Sequence, residues 1–205
     1  MPDTVASVRV LVADDDTDAR ALLVEALGSL GHTVVADVGS GREAVEQARS
    51  LGPDAVLLDV HMPDVNGIDA ATQIASQLPD TAVVLFTGDQ TVSLSDEQIV
   101  GTSAISMLSK PTPPKTLDSA LRLAVARTKA LKSAEREAND AKAQLENRKM
   151  IERAKGILMR RTGSSEQEAY RILQRTSQDR SVPMIEIAKA VLESEPGYQP
   201  SPPRR

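Results

Sequence analysis

Two hydrophobic periods alternate through the first half of the chain, and this alternation limits its fold more than any other feature. Five short apolar runs rich in β-branched residues predict strands at Val8–Ala13, Thr33–Val38, Ala55–Leu58, Ala82–Phe86 and Ile105–Leu108. Helical spacing predicts the intervening helices at Ala19–Leu30, Arg42–Leu51, Ile68–Leu78 and, with a capping box, near Ser95–Val100. Continuous apolar strands separated by helices are typical of a parallel sheet covered on both faces. We therefore predict a doubly wound, five-stranded α/β domain.

The pattern changes after Pro114. From Lys115 to about Arg161 the chain contains no Pro and a single Gly, and strong helix formers dominate, so we predict one long helix. A 3-4-3 spacing, continued after a shift, runs through Leu121, Ala124, Thr128, Leu131, Ala134, Ala138, Ala141 and Leu145. This spacing allows a dimerising coiled-coil seam, while its small residues leave a solvated linker helix as the alternative.

Two shorter helices are predicted after a break at Gly163. Ser165 and Glu168 form a capping box that opens the first of them, and Ser181 with Pro183 begins the second. The tail EPGYQPSPPRR is rich in Pro, so we expect it to be disordered.

Charge divides the chain as sharply as hydrophobicity does. Residues 1–120 have a net charge of −12 and residues 121–205 one of +7, which suggests that one half handles a cation or a phosphate and the other a polyanion. The absence of Cys excludes disulfides and thiolate metal sites. Neither a membrane-length apolar run nor a signal pattern is present, so we expect a cytoplasmic protein without a membrane partner.

Polar residues follow the predicted strands where each one ends. Three acidic residues, 14–16, come directly after the first strand, and Asp59 closes the third in AVLLDVHMPDVNG. Thr87 closes the fourth strand, and Lys110 with Pro111, a candidate cis peptide, closes the fifth. Because the carboxyl ends of parallel strands meet at one edge of a doubly wound sheet, we expect these groups to converge.

Such a cluster has a definite chemistry. Gathered carboxylates repel one another unless a cation lies among them, and a ligand set made only of oxygen points to Mg²⁺. A single carboxylate beside that metal, a lysine and a hydroxyl is suited to accept a phosphoryl group, with Asp59 as nucleophile, Lys110 neutralising charge and Thr87 donating a hydrogen bond. Asp16 or Thr17 is more simply explained as a helix N-cap.

Residues 7–127 resemble the receiver domain of response regulators, a flavodoxin-like fold of the chemotaxis-regulator type. The resemblance implies that a sensor histidine kinase phosphorylates Asp59, with Thr87 as switch hydroxyl and Lys110 as the essential lysine. It also implies that Asp15, Asp59 and the backbone carbonyl of His61 hold Mg²⁺, with Asp14 acting mostly through water. In two places the sequence departs from the family, because Met107 replaces the usual switch aromatic and Thr112 follows Lys-Pro.

Residues 144–193 resemble the ANTAR domain, a three-helix RNA-binding module of transcription antiterminators, through IERAKGILM, EAYRIL and SVPMIEIAKAVLE. The resemblance implies a target of paired hairpins in a nascent mRNA leader, bound by a homodimer. The candidate RNA contacts are the basic residues Lys149, Arg153, Lys155, Arg160 and Arg161. For any one of these five, a solvated helix face is an equal interpretation.

Together these observations predict a receiver at residues 1–127, a helical linker at 128–143, an ANTAR-like domain at 144–194 and a disordered tail at 195–205. We expect a phosphorylated regulator of transcription antitermination, not an enzyme beyond its own phosphoryl transfer and dephosphorylation.

Three alternatives stay open. A DNA-binding response regulator would read duplex grooves, although the last predicted helix carries only Lys189 as a cation. An Asp-nucleophile phosphatase usually has an acidic residue two positions after its nucleophile, where this chain has His61. A pseudo-receiver acting through protein contacts without phosphorylation is favoured by Met107 and by the unusual segment 88–103.

Overall fold

The computed structural model describes residues 7–89 and 105–195, and it divides the chain into two compact units, Met1–Ala134 and Glu135–Arg205. The described residues of the first unit form five strands: β1 (Arg9–Ala13), β2 (Thr33–Val38), β3 (Ala55–Asp59), β4 (Ala82–Thr87) and β5 (Ile105–Ser109). All neighbouring strands are parallel, in the order β2-β1-β3-β4-β5. The predicted doubly wound sheet is therefore confirmed.

Six helices lie in the described residues: α1 (Thr17–Ser29), α2 (Gly41–Leu51), α3 (Gly67–Gln77), α4 (Pro114–Thr162), α5 (Glu166–Arg180) and α6 (Met184–Glu193). The first three begin one or two residues earlier than predicted, because a polar side chain directly before each helix satisfies free backbone N–H groups. These N-caps are Asp16, Ser40 and Asn66. The helix predicted near Ser95–Val100 lies outside the described residues.

Both faces of the sheet are covered. On one face, Leu27 of α1 and Leu117 of α4 pack with inward residues of the strands such as Val12. On the other face, Ala48 of α2 and Ile74 of α3 pack with the alternate residues of the same strands. Because the three central strands β1, β3 and β4 are almost completely buried, their sequences are nearly continuous apolar runs and do not alternate.

One part of the predicted coiled-coil seam is wrong. Leu121 and Ala124 pack into the core beneath the sheet, and Thr128 is also buried, so these positions are not available to a second chain. Leu131 and Leu145, by contrast, are 50% and 53% exposed. A seam, if this helix forms one, begins at Leu131.

In the second unit, residues 135–195 form three helical segments: the C-terminal part of α4, then α5 and α6. Its core consists of Ala154, Leu173, Ile187 and Ala188, with partly buried aliphatic side chains around them. The predicted capping box is present, since Ser165 Oγ accepts from the Glu168 backbone and the Glu168 carboxylate accepts from the Ser165 backbone. No helix among the described residues combines the length and the apolarity needed to cross a membrane.

Candidate functional site

The strand register brings four predicted residues to one edge of the sheet. Asp14 directly follows β1, whose Ala13 pairs with the residue before Asp59. Asp59 ends β3 opposite Phe86, so that Thr87 lies one step further along β4. The backbone N–H of Lys110 donates to the carbonyl of Thr87 at 2.7 Å, which extends the β4–β5 pairing to the lysine.

Lys110 joins two of the carboxylates. Its Nζ lies 2.6 Å from Asp14 Oδ2 and 3.0 Å from Asp59 Oδ1, and 5.6 Å from the centre of the Phe86 ring. Burial alone would lower the pKa of Lys110, but the hydrogen bonds to Asp14 and Asp59 outweigh it and the pKa is raised. The side chain is therefore a permanent cation at the site. The Lys110–Pro111 peptide bond is cis, as predicted.

Asp59 is buried, with 6% of its surface exposed. This burial raises the pKa of Asp59, because a charged carboxylate loses hydration; Lys110 acts in the opposite direction, and the charges of Asp14 and Asp15 add to the rise. A further positive charge among these carboxylates would favour the ionised, nucleophilic form of Asp59.

The acidic cluster has the composition of a site for a hard divalent cation. One carboxylate oxygen from each of Asp14, Asp15 and Asp59 lies within 4.8 Å of the other two. These three carboxylates and the ammonium of Lys110 leave a net charge of −2, which a divalent ion would neutralise. A donor set made only of oxygen suits Mg²⁺. The side chain of His61, two residues after Asp59, is exposed.

Asp16 has a different role from its two neighbours. Its side chain accepts from the backbone N–H groups of Asp18 and Ala19 at the start of α1, at 2.9 and 3.1 Å. Both bonds lower the pKa of Asp16, and the bond from Ala19 has the larger effect. The prediction of an N-cap at this position is confirmed.

Two residues that support the site were missed by the sequence analysis. Arg20 donates from Nη1 to the carbonyl of Asp14 at 2.5 Å, which fixes the backbone at the end of β1. Gly67, the first residue of α3, lies so close to β3 that an added Cβ would be 1.9 Å from the carbonyl oxygen of Asp59. A Gly directly after the N-cap Asn66 was the only available signal.

The two predicted switch residues lie on adjacent strands. Thr87 is buried, and its Oγ1 accepts from the backbone N–H of Asp89 at 3.0 Å. Met107 is half-buried and packs against the apolar cluster that includes Leu85 and Val83. The thioether thus occupies sheet-face packing space at the position where the family usually has a ring.

The five basic residues predicted to contact RNA differ in their availability. Lys149 pairs with Glu146, Arg160 with Glu195, and Arg161 donates to the side chain and the carbonyl of Ser194. Lys155 is 7% exposed and lies between Glu152 and Glu166, at 2.8 and 2.7 Å. Within the part of the chain that the structure describes, Arg153 is the one member of the five without such a bond.

Glu152 and Glu166 together hold the ammonium of Lys155, and we call this pair of contacts the clamp on Lys155. The clamp argues against Lys155 as an RNA contact. Two hydrogen bonds raise the pKa of Lys155: the one to Glu152 has the larger effect and the one to Glu166 the smaller. The bond between Lys155 and Glu166 also lowers the pKa of Glu166. A nearly buried ammonium with two carboxylate partners connects α4 to the first turn of α5. It offers little free charge to a phosphate.

Comparison with known proteins assigns the class. The family "Response regulator receiver domain" matches residues 10–122, and the family "ANTAR domain" matches residues 139–192. The chain belongs to the response regulators, with an N-terminal receiver domain and a C-terminal ANTAR domain.

Similar proteins agree with this membership. The "Transcriptional regulatory protein PdtaR" of Mycobacterium tuberculosis is 38% identical over 192 residues, which are 94% of this chain and 93% of that protein. The chemotaxis protein CheY of Thermotoga maritima is 32% identical over 115 residues, 55% of this chain and 93% of CheY. Among solved structures, the response regulator domain of Thermotoga maritima CheB superposes with a TM-score of 0.53 at 27% identity, covering 59% of this chain and 98% of that domain.

Proposed function

We propose that this chain is a two-component response regulator in which a sensor histidine kinase phosphorylates Asp59, and that phosphorylation controls RNA binding and transcription antitermination by the ANTAR domain. The observation that carries the proposal is the contact of Lys110 Nζ with both Asp14 and Asp59 at the carboxyl edge of the sheet. That cluster occurs in a chain whose other half is an ANTAR domain. The setting is the cytoplasm.

The chemistry follows from the residues at that edge. A carboxylate oxygen of Asp59 attacks the phosphorus in line, so that a P–O bond forms while the P–N bond to the kinase histidine breaks and the imidazole leaves. Lys110 neutralises charge on the phosphoryl oxygens, and the hydroxyl of Thr87 donates a hydrogen bond to the acyl phosphate. Mg²⁺, held by Asp15, Asp59 and the backbone carbonyl of His61, with Asp14 acting mostly through water, would neutralise further phosphoryl charge when bound.

Signal transfer in this proposal uses Met107 in place of an aromatic ring. Displacement of Thr87 toward the phosphoryl group frees space on β4, and an unbranched thioether repacks there readily. The new receiver conformation favours a homodimer through α4, and two ANTAR domains then bind paired hairpins in a nascent mRNA leader. Of the predicted basic contacts, Lys149, Arg153, Arg160 and Arg161 lie on the exposed surface.

An acyl phosphate hydrolyses readily in acid, so detection methods that need acid treatment would lose the label. Intact-mass spectrometry at neutral pH therefore tests the first step. The full chain is treated with acetyl phosphate and Mg²⁺, and we expect a mass gain of one phosphoryl group. Asp59→Asn should gain none, while the control Asp69→Asn, on the exposed first turn of α3, should be labelled as wild type. Equal labelling of Asp59→Asn would exclude the proposed acceptor.

A gel-shift experiment tests the second step. Hairpin RNA and duplex DNA are compared as probes at several salt concentrations, with untreated protein and with protein treated with acetyl phosphate. We expect salt-dependent binding to hairpin RNA, stronger after treatment. Preferential binding to duplex DNA would instead favour a DNA-reading output domain.

A further inference from the structure

One face of α5 presents side chains of an unusual combination to solvent. Gln167, Tyr170, Arg171 and Gln174 follow a 3-1-3 spacing, so they lie on the same side of the helix, and all four are exposed. We call these four residues the α5 face. The opposite side of the helix carries Ala169 and Leu173, which are fully buried in the core of the unit.

Tyr170 stands out among these residues. The chain has three aromatic residues; of the two that the structure describes, Phe86 is buried beside Lys110, whereas Tyr170 is 44% exposed. Core packing therefore does not account for its ring. Its immediate surroundings are a groove lined by the α5 face together with Lys155 and Glu166.

Charge in and around this groove is distributed unevenly. Lys155 (+1) and its two carboxylate partners, Glu152 and Glu166 (−2), sum to a charge of −1, so this group offers no free cation. Neither Arg171 nor Arg175 forms a salt bridge within the described residues, although the charge of Arg171 contributes, after hydrogen bonds from Ser165, to the lowered pKa of Glu168. Arg171 also borders a second groove, on its other side, that contains Ile172 and Arg175. Among the described residues that line the first groove, Arg171 is thus the cation without a carboxylate partner, and Arg175 lies in the neighbouring groove.

This arrangement fits an unpaired nucleotide better than a duplex backbone. An exposed ring offers a stacking surface, and the side-chain amides of Gln167 and Gln174 can both donate to and accept from a base edge. Arg171 in this groove and Arg175 in the neighbouring one lie one helical turn apart, where both can bind phosphates of the same RNA loop. In a duplex the bases are stacked on one another, so the ring would find no free base face to stack on.

We infer that the α5 face binds an unpaired base of an RNA hairpin loop, stacked on Tyr170, with Arg171 and Arg175 on the neighbouring phosphates. This inference rests on the proposed RNA-binding function. It moves base recognition away from the basic residues of α4, where Lys155 is a structural clamp, to the second helix of the domain.

The test uses a pool of RNA hairpins with a constant stem and a randomised loop. The pool is selected on the full-length protein treated with acetyl phosphate and Mg²⁺, and the enriched hairpin and a blunt duplex of the same stem then become the two probes. We expect Tyr170→Leu to weaken binding to the enriched hairpin on the order of tenfold, with binding to the duplex unchanged. Tyr170→Phe, which keeps the ring, should bind as wild type.

A second variant tests the amides. Gln174→Ala removes one amide from an exposed helix position, and it should change which base is preferred at one loop position. Circular dichroism melts control for folding and should agree between Tyr170→Leu and Tyr170→Phe. If Tyr170→Leu binds the enriched hairpin as tightly as wild type, or if selection yields RNA without any loop preference, the inference is overturned while RNA binding stands. If wild type enriches no RNA at all, the proposed function itself fails.

Discussion

At the scale of single residues, the contact between Gly67 and Asp59 limits what the end of β3 tolerates. A Cβ at position 67 would meet the Asp59 carbonyl oxygen at 1.9 Å and the Asp59 carbonyl carbon at 2.8 Å. Neither atom belongs to a flexible side chain, so α3 or the end of β3 must shift. We expect Gly67→Ala to lower the free energy of unfolding by roughly 1–3 kcal/mol, a typical penalty of overpacking, and to slow phosphorylation by acetyl phosphate.

Urea unfolding and intact-mass kinetics measure these two effects. Gly28→Ala is the matched control, because an added Cβ there meets nothing within 4 Å and its helical position favours Ala. It should leave labelling unchanged and raise stability by up to about 1 kcal/mol. Equal stability of the two variants would show that the strand end has room to adjust.

These residues mark the boundary of what the sequence could predict at the site. The convergence of Asp14, Asp59 and Lys110 follows from the strand ends and the sheet topology, and the hydrophobic pattern of the sequence predicts both. The roles of Arg20 and Gly67 depend on how closely a helix approaches a strand. The spacing of residues in the sequence does not predict that distance. The same holds for the clamp on Lys155, whose partner Glu166 lies across a turn.

At the scale of elements, the ion pair between α4 and α5 should be visible in the pH dependence of stability. The bond from Lys155 lowers the pKa of Glu166 below its ordinary value of 4.5. A group whose pKa is depressed by folding stabilises the folded state at pH values above its unfolded pKa, and this contribution is lost as the pH falls through the folded pKa. We therefore expect wild type to unfold at a higher temperature than Glu166→Gln at pH 7.

The difference between the two proteins should shrink as the pH falls below 4.5 and through the lowered folded-state pKa of Glu166, because the protonated side chain no longer pairs with Lys155. Scanning calorimetry over a pH series measures it. Glu186→Gln, which removes an exposed pair with Lys189 inside α6, is the control and should have a smaller effect at every pH. A difference that persists undiminished in acid would mean that Gln alters packing, not charge.

The N-terminus of α5 supplies a second prediction at this scale. Ser165 Oγ accepts from the Glu168 backbone N–H at 3.3 Å, and the Glu168 carboxylate accepts from the Ser165 backbone N–H at 2.8 Å. Ser165→Ala removes the first bond, so we expect it to destabilise the ANTAR domain by about 1 kcal/mol. Denaturant unfolding followed by circular dichroism measures the loss. Ser165→Thr keeps the hydroxyl and should retain most of the stability.

The bounds of a helix or strand can be predicted from the sequence where a single pattern determines them. Strands were placed to within one residue, because buried parallel strands are continuous apolar runs. The seam on α4 failed at Leu121 and Ala124, because a 3-4 spacing of apolar residues is the same whether a helix packs on its own sheet or on a second chain. The choice between those two uses requires knowledge of the sheet.

At the scale of the whole molecule, proposed dimerisation depends on what remains of that seam. Leu131, Ala134, Ala138, Ala141 and Leu145 keep an uninterrupted 3-4-3-4 spacing. The two leucines at its ends are about half exposed. Because the intervening positions are small, the seam by itself binds weakly, which suits a dimer that forms only when phosphorylation of the receiver adds to it.

Sedimentation velocity of the full chain, with and without acetyl phosphate and Mg²⁺, tests this dependence. We expect wild type to shift from monomer toward dimer on phosphorylation, and Leu131→Asn combined with Leu145→Asn to stay monomeric although Asp59 is labelled normally. Leu123→Asn changes another leucine of α4, 66% exposed and outside the seam, and should dimerise as wild type. If Leu123→Asn abolishes the dimer while the double variant retains it, the receiver surface and not the linker seam joins the two chains.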